Sequence, residues 1–156
     1  MDIDASGWRG VFQEPRPTRT PDLSKAAVPL LFFAADLLAR CFTETIGRRH
    51  HLSLAEWRCM MVLAPRPGLA NIEVAAASGL DVMTVSRALR SLEQEGRLER
   101  CADPTDKRRI TSSLTEPGLE LYRAVAASSE LLPGELKAQD RAQLGRYLKS
   151  VIATLR

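Results

Sequence analysis

The stretch NIEVAAASGLDVMTVSRALRSLEQEG, residues 71–96, decides the fold that this sequence predicts. Its apolar residues recur at three- and four-residue steps, which indicates two short helices over about Ile72–Ser78 and Val82–Glu95. Gly79 lies in the short turn between them, and Gly96 follows the second helix at a position where glycine commonly ends a helix. Two helices joined by a tight turn that contains glycine predict a helix-turn-helix.

The second of these helices has an apolar face and a polar face. Asp81 is a favoured N-cap residue for it, as Asn71 is for the first helix. Its expected core positions are Val82, Val85, Leu89 and Leu92. The opposite face carries side chains that hydrogen-bond to bases and phosphates: Thr84, Ser86, Arg87, Arg90 and Ser91. Because the second helix of a helix-turn-helix enters the major groove, we interpret these as candidate DNA-binding residues. The alternative is an ordinary solvated helix face.

A charged hairpin is predicted directly after the second helix. Leu98–Cys101 and Ile110–Leu114 are typical of short strands, and the polar tip between them reads ADPTDKRR, residues 102–109. The 156 residues include 22 Lys and Arg against 19 Asp and Glu, a net charge of +3. This charge permits nucleic-acid binding without predicting it, so the argument rests on where the basic side chains lie.

The hairpin tip offers a specific assignment. We place Arg108 in the minor groove of DNA, where a narrow A·T-rich stretch attracts arginine. A carboxylate at this tip would repel phosphate, so Asp106 cannot favour DNA binding directly. We therefore assign it an orienting role, in which it hydrogen-bonds to the Arg108 guanidinium and fixes its direction. Lys107 and Arg109 would contact phosphates or stay solvated. The alternative is a solvated hairpin without a partner.

The helices that flank the helix-turn-helix favour a dimer. A helix is predicted from Val28 to about Gly47, with apolar residues on more than one face, and residues 48–51 are expected to form a polar connection. A helix from Pro117 to about Leu132 precedes a last helix from about Ala138 to Leu155, which carries an apolar stripe. One protomer of this size can hardly bury both surfaces, so we expect a homodimer.

Caps and prolines define the remaining segments. Ser53 and Glu56 form the Ser-x-x-Glu capping box at the start of a helix. That helix runs through an apolar stretch to Leu63 and is stopped by the prolines that follow. Residues 1–25, in which prolines alternate with arginines, predict an extended arm.

The sequence also excludes several classes of protein. No apolar run reaches the roughly 18 residues that span a bilayer, and the acidic N-terminus is unlike a secretory signal, so we expect a soluble cytoplasmic protein. Gly-x-Ser-x-Gly motifs, phosphate-binding glycine loops and clusters of His with carboxylates are missing, so we expect neither an enzyme nor a cofactor. Cys41, Cys59 and Cys101 are widely spaced, and no metal site is expected.

Short motifs between Leu52 and about Leu121 carry a resemblance to a known family. They are LAEWR at 54–58, EVA at 73–75, TVSRAL at 84–89, LEQEG at 92–96 and LTEPG at 114–118. The most specific is the wing pattern Asp-x-Arg-Asp-x-Arg, here Asp103 to Arg108, in which Thr105 replaces the first arginine. On these residues the chain resembles the MarR family of bacterial transcriptional regulators.

This resemblance implies a mainly α-helical fold with a small β-hairpin wing. A winged helix-turn-helix would occupy about residues 52–115 of a single domain over 26–156, with dimerisation helices at about 26–47 and 117–156. The family further implies a homodimer on a palindromic operator in double-stranded DNA. It also implies repression that is relieved by a small anionic aromatic ligand, bound between the dimerisation helices and the DNA-binding lobe.

Three residues near that junction are candidate ligand-binding residues. Arg40 and Arg58 could neutralise a ligand carboxylate, and Trp57 could form a pocket wall, although solvated arginines and a core tryptophan are the alternatives. A regulator of the same fold that responds to thiol oxidation is a second hypothesis, with Cys41 beside Arg40 as its best candidate. A winged-helix protein-interaction module without DNA binding is a third hypothesis.

Overall fold

The computed structural model of the chain describes residues 26–102, 108–128 and 137–155. Its helices are α1 (Ala27–Phe42), α2 (Arg48–His50), α3 (Leu54–Leu63), α4 (Asn71–Ser78), α5 (Val82–Gln94), α6 (Glu116–Ala127) and α7 (Ala138–Thr154). Strands β1 (Leu98–Ala102) and β2 (Ile110–Leu114) form an antiparallel hairpin between α5 and α6. The architecture is mainly α-helical with a small β-hairpin, as the sequence predicts. The predicted arm at residues 1–25 and the hairpin tip at 103–107 lie outside the described residues.

The first helical segment is longer than predicted. A π-helical turn over Thr43–Gly47 joins α1 to α2 without a break. Both threonines of this turn donate their hydroxyl groups to carbonyl oxygens four residues earlier, at 2.9 and 2.8 Å. Residues 48–50 are therefore helical, and the expected polar connection is reduced to His51. There the backbone enters the left-handed region, with φ at 49°, and ends the helix.

Helix α3 is the centre of the core and packs against α4, α5, α6 and β2. Its N-terminus carries the predicted capping box. The Ser53 N–H donates to Glu56 Oε2 at 2.6 Å, and the Glu56 N–H donates to Ser53 Oγ at 3.2 Å. The large, fully buried apolar side chains come from the π turn and four helices: Ile46, Met60, Leu63, Val74, Val85, Leu89, Leu92 and Val125. These contacts fix the position of the helix-turn-helix.

Helix α4, the first helix of the helix-turn-helix, begins one residue earlier than predicted. Asn71 is already helical, so its assignment as the N-cap is wrong, and Ala70 occupies that position. Ala70 has no side-chain acceptor, but its N–H donates to Glu73 Oε2 at 2.7 Å. Gly79 ends the helix in the left-handed region with φ at 68°, as expected for the turn.

Helix α5 has the predicted cap and most of the predicted core face. Asp81 accepts a hydrogen bond from the Thr84 N–H, and Gly96 adopts a φ of 68° just past the end. The valine and two leucines that follow on the apolar stripe are fully buried. Val82 is instead 46% exposed, which corrects its assignment to the core. The first turn of α5 extends beyond the part that the core covers.

The β-hairpin gains a third short segment that the sequence did not indicate. In the hairpin, Leu98 pairs with Leu114 and Ala102 pairs with Ile110. Leu69, just before α4, forms an isolated antiparallel bridge with Ser112 of β2. The Ser112 N–H donates to the Leu69 carbonyl oxygen at 2.9 Å. The hairpin is therefore attached to the start of the helix-turn-helix as well as to its end.

The two C-terminal helices follow the sequence pattern with one change. Thr115 caps α6 by accepting a hydrogen bond from the Gly118 N–H at 3.3 Å. The helix ends at Ala127 and not near Leu132, because Ser128 takes an extended conformation. Helix α7 occupies the predicted range to within one residue. None of the described helices is long and apolar enough to cross a membrane.

The close approach of Gly118 to Arg97 yields a stability prediction. A Cβ atom at Gly118 would overlap the Arg97 carbonyl oxygen, which is backbone and cannot rotate away. Gly118→Ala should therefore lower the free energy of unfolding by roughly 1–3 kcal/mol. Gly145→Ala in α7 is the matched control, because a Cβ atom there meets nothing within 4 Å and should stabilise the helix slightly. Equal denaturant midpoints for the two variants would contradict the overlap.

Candidate DNA-binding face and effector groove

The outer face of α5 presents the residues that the sequence singled out. Arg87 and Arg90 are exposed, while Thr84 and Ser86 are partly buried. Thr84 and Arg87 line a groove of about 250 Å³ between α5 and the start of α3, which we call the α3–α5 groove. Its lining is Ser53, Ala55, Glu56, Thr84, Arg87, Ala88 and Ser91. Arg90 and Ser86 do not line this groove, so the candidate residues divide between two neighbouring strips of the helix.

Asp81 and Thr84 form a hydrogen-bonded pair at the N-terminus of α5. The Thr84 N–H donates to Asp81 Oδ1 at 2.8 Å, and Thr84 Oγ1 donates to Asp81 Oδ2 at 2.6 Å. These hydrogen bonds to Thr84 lower the pKa of the Asp81 carboxyl group. Asp81 is exposed, so a carboxylate lies at the end of the helix that would face DNA bases. The sequence indicated Asp81 only as a cap.

The wing residues have different surroundings. Arg108 is exposed at the end of the tip, whereas Asp106 and Lys107 lie outside the described residues. Arg109 Nη2 donates to Glu73 Oε2 at 2.5 Å, and that same oxygen accepts the Ala70 N–H. This corrects the expectation that Arg109 contacts phosphates or stays solvated. Its guanidinium instead ties the base of the wing to the start of α4.

Arg97 is a second connecting arginine that sequence reasoning missed. Its guanidinium donates to the carbonyl oxygens of His50 and His51, at 2.9 and 3.3 Å, and pairs with Glu95 at 2.5 Å. Arg97 follows α5, while the two histidines end the long first helical segment. Their separation of more than 40 residues leaves no local sequence pattern. Arg97 thus connects the end of the helix-turn-helix to the end of α2.

A second, more apolar groove lies between α1 and α3. Its volume is about 370 Å³, and we call it the α1–α3 groove. It is lined by Ala35, Leu38, Ala39, Phe42, Leu54, Trp57, Arg58 and Met61. Arg58 is the charged member of this lining. An apolar groove with one cation has the chemistry to hold an aromatic anion.

The three candidate ligand-binding residues have different surroundings in the structure. Trp57 both lines the groove and packs in the core, with ring centroids 6.3 Å from Phe42 and 5.4 Å from Tyr122. Arg58 reaches from the groove to the turn of the helix-turn-helix, where its Nη2 donates to the Ser78 carbonyl oxygen at 2.5 Å. Arg40 is exposed and is not part of the groove lining.

None of the three cysteines lines either groove. Cys59 is buried in α3, and burial raises the pKa of its thiol to about 11. Cys41 is partly buried and Cys101 is exposed on β1. All three are free thiols. Within the described ranges, no group of three or more His, Cys, Asp or Glu side chains is arranged to hold a metal ion.

Taken together, a helix-turn-helix, a β-hairpin attached to both of its ends and a long flanking helix define a winged helix-turn-helix fold. Comparison with known proteins gives the family. Residues 52–110 match the MarR family. A helix-turn-helix transcriptional repressor of Mycobacterium tuberculosis is 30% identical over 104 residues, which cover 67% of this chain and 75% of that repressor. The chain belongs to the MarR family of transcriptional regulators. The prediction that it is a regulator and not an enzyme is confirmed by the family match and by this repressor.

Two further proteins are informative. The homoprotocatechuate degradative operon repressor of Escherichia coli is 27% identical over 119 residues, which cover 74% of this chain and 80% of that protein. The solved structure of BpsR from Bordetella bronchiseptica superposes with a TM-score of 0.69 at 22% identity. That superposition covers 85% of this chain and 96% of BpsR, and the DNA binding of BpsR is regulated by 6-hydroxynicotinic acid. The structural likeness supports the winged helix-turn-helix fold.

Proposed function

We propose that this regulator is a homodimeric repressor that binds a palindromic operator and is released by a small aromatic anion. The observation that carries the DNA-binding part of the proposal is the outer face of α5, where Arg87 and Arg90 are exposed. The opposite face of the same helix is an apolar stripe that is buried in the core. A helix held in this way can enter a major groove as a rigid unit. We further propose that the protein acts in the cytoplasm, where its operator would lie.

The proposed dimer follows from uncovered apolar surface on α1 and α7. On α1, Phe32 is 67% exposed and Val28 is 61% exposed, and other apolar side chains of that helix are also open to solvent. On α7 the exposed apolar side chains are Leu144, Tyr147, Val151 and Ile152. Contiguous apolar surface of this kind marks an interface. A second copy is the proposed occupant, so the domain would comprise dimerisation helices at 26–47 and 117–156 around a DNA-binding lobe at 52–115.

The dimer is tested by mass in solution. We expect sedimentation equilibrium to give twice the 17.2 kDa of one chain. The double variant Leu144→Glu with Ile152→Glu should dissociate or aggregate, because each protomer would bring two charges into the interface. Met83→Glu is the control, since Met83 is exposed on α5 and should leave the mass unchanged. A well-folded wild-type monomer would contradict the proposal.

The DNA contacts are proposed residue by residue. Thr84, Ser86, Arg87 and Arg90 would contact bases and phosphates in the major groove, and Arg108 would enter the minor groove. Asp106 would orient Arg108, and Lys107 would contact a phosphate. Arg109 is left out of this set because Glu73 holds its guanidinium at the base of the wing. That ion pair links the base of the wing to α4.

The wing assignment has a distinctive set of expected affinities. Arg108→Ala should weaken operator binding by roughly 1–3 kcal/mol, whereas Lys107→Ala should mainly reduce the salt slope by about 1. Asp106→Ala should also weaken binding although it removes a negative charge, because the arginine would lose its orienting partner. Fluorescence anisotropy across a salt series measures all three. Arg123→Ala, on α6 and paired with Glu116, is the control that should change nothing.

The sign of the Asp106 effect decides between two models. If the wing were only a source of positive potential, Asp106→Ala would bind operator more tightly than the wild type. Tighter binding would therefore refute the orienting role, while leaving DNA binding by the wing in place.

The effector is proposed to occupy the α1–α3 groove with its carboxylate on Arg58. The aromatic ring would lie against the apolar lining beside Trp57. Because Arg58 also donates to the Ser78 carbonyl oxygen, a carboxylate in the groove would compete for the same guanidinium. Losing that hydrogen bond would loosen the turn between α4 and α5 and weaken DNA binding. The regulation of BpsR by an aromatic acid supports this proposal.

Arg58 and Arg40 provide a matched pair of variants for this proposal. Benzoate, salicylate and 4-hydroxyphenylacetate are suitable probes, and calorimetry measures their binding. Arg58→Gln should weaken binding of the acid that binds best by roughly 10- to 100-fold, as expected for a lost charge-assisted hydrogen bond. Arg40→Gln removes the same charge outside the groove and should change little. If none of these acids binds or lowers operator affinity, the proposed effector class is wrong.

One set of mobility-shift experiments separates the three hypotheses. The full chain is titrated onto duplex DNA from the region upstream of its own gene, alone, with the aromatic acids and with peroxide. Release by an acid supports the proposed function. Release by peroxide that is lost when all three cysteines are replaced by serine would favour the thiol-responsive alternative. Absence of binding to any duplex would favour a protein-interaction module.

A further inference from the structure

We propose that Asp81 and Thr84 together recognise the exocyclic amino group of a cytosine in the major groove. This inference rests on the proposed DNA-binding function and adds to it a base-specific role at the N-terminus of α5. Asp81 would then take part in sequence selection. Its role as a helix cap does not by itself require an acidic residue, because asparagine and serine cap helices about as well as aspartate.

The hydrogen-bond geometry leaves the pair with acceptors only. Thr84 Oγ1 has one hydrogen, and it is donated to Asp81 Oδ2 at 2.6 Å. The other carboxylate oxygen already accepts the Thr84 N–H at 2.8 Å. Further partners of the pair must therefore donate hydrogen bonds to the remaining lone pairs of the carboxylate and the hydroxyl oxygen.

Both residues are positioned to meet such a donor. Asp81 is exposed, and Thr84 lines the α3–α5 groove together with Arg87, one turn further along the helix. In a helix-turn-helix the N-terminal residues of the second helix approach the base edges. The hydrogen bonds from Thr84 lower the pKa of Asp81, so the side chain is a carboxylate at neutral pH. Against the phosphate backbone this charge would be repulsive, and a base amino group relieves that cost.

The major-groove edges of the four bases select cytosine as the partner. Cytosine presents the N4 amino group, which is a donor. Guanine presents two acceptors, O6 and N7, and thymine presents the O4 acceptor with a methyl group, so both would oppose the acceptor pair. Adenine has an amino group, but its N7 acceptor lies beside it and would repel the carboxylate. Specificity would come from favourable contact with cytosine and from rejection of guanine.

The test uses duplexes with a randomised central stretch, from which the full wild-type chain selects a preferred half-site. We expect one position per half-site at which replacing C·G by T·A weakens wild-type binding by roughly 10- to 100-fold. Asp81→Asn keeps a capping oxygen but introduces donors, and Thr84→Val removes the hydroxyl group while keeping the shape. Both variants should lose most of the preference at that position and keep it elsewhere. Arg123→Ala, on α6 and outside the proposed DNA-binding residues, is the control and should retain the cytosine preference.

The outcomes distinguish failure of the inference from failure of the proposed function. Variants that keep the wild-type cytosine preference would show that Asp81 is only a cap, and would overturn the inference. Uniformly tighter binding of Asp81→Asn to every duplex would show that the charge acts on phosphates, with the same consequence. A wild-type chain that selects no sequence at all would instead refute sequence-specific DNA binding as its function, and the inference with it. Thermal melting of each variant confirms that the helix remains folded.

Discussion

The burial of the apolar stripe of α5 against α3 is the constraint on which the rest of the structure depends. Val85, Leu89 and Leu92 are fully buried there, and this single contact decides which face of α5 remains outside. Had the stripe been rotated by one residue, Arg87 and Arg90 would have moved towards the core. The polar outer face is thus a consequence of apolar packing, which fixes the orientation of the helix before any DNA is present.

Helix α3 stands between the two grooves and connects them. Its first turn, with Ser53 and Glu56, borders the α3–α5 groove. Later positions, Trp57, Arg58 and Met61, border the α1–α3 groove. Because Arg58 also donates a hydrogen bond to the carbonyl oxygen of Ser78, a change in the α1–α3 groove can reach α5 through this hydrogen bond and the short turn that follows Ser78. The route passes through packed elements that have few alternative arrangements.

Local features of the sequence predicted local features of the structure. The capping box of Ser53 and Glu56, the cap at Asp81 and the left-handed Gly96 all arise from residues within four positions of one another, so they could be predicted. The exposure of Val82 could not be predicted. The periodicity of apolar residues shows which face of α5 is apolar, but it does not show how far along that face the core extends. The early end of α6 at Ala127 has no proline or glycine to mark it.

The long-range contacts could not be predicted, because local sequence patterns do not indicate which distant residues meet. Arg109 reaches Glu73 across 36 residues, and Arg97 reaches His50 across 47. Nothing near either arginine in the sequence identifies the distant Glu73 carboxylate or the His50 carbonyl oxygen as its partner, and a basic residue near a wing is more simply interpreted as a DNA contact. The α1–α3 groove likewise depends on how two helices lie beside each other. Of the three candidate ligand residues, Trp57 and Arg58 line it and Arg40 does not.

The π-helical turn at Thr43–Gly47 affects how the DNA-binding lobe is rotated about the axis of the first helical segment. In an α-helix each residue advances the chain by about 100° around the axis, and a π turn holds one residue more than an α turn. Arg97 fixes the DNA-binding lobe to the end of this segment at His50. Deleting one residue from the turn would therefore rotate the lobe around the first helix by about a quarter of a turn. In the proposed dimer, the length of that segment would set the angular register between the two copies of α5, and with it the spacing of the half-sites on DNA.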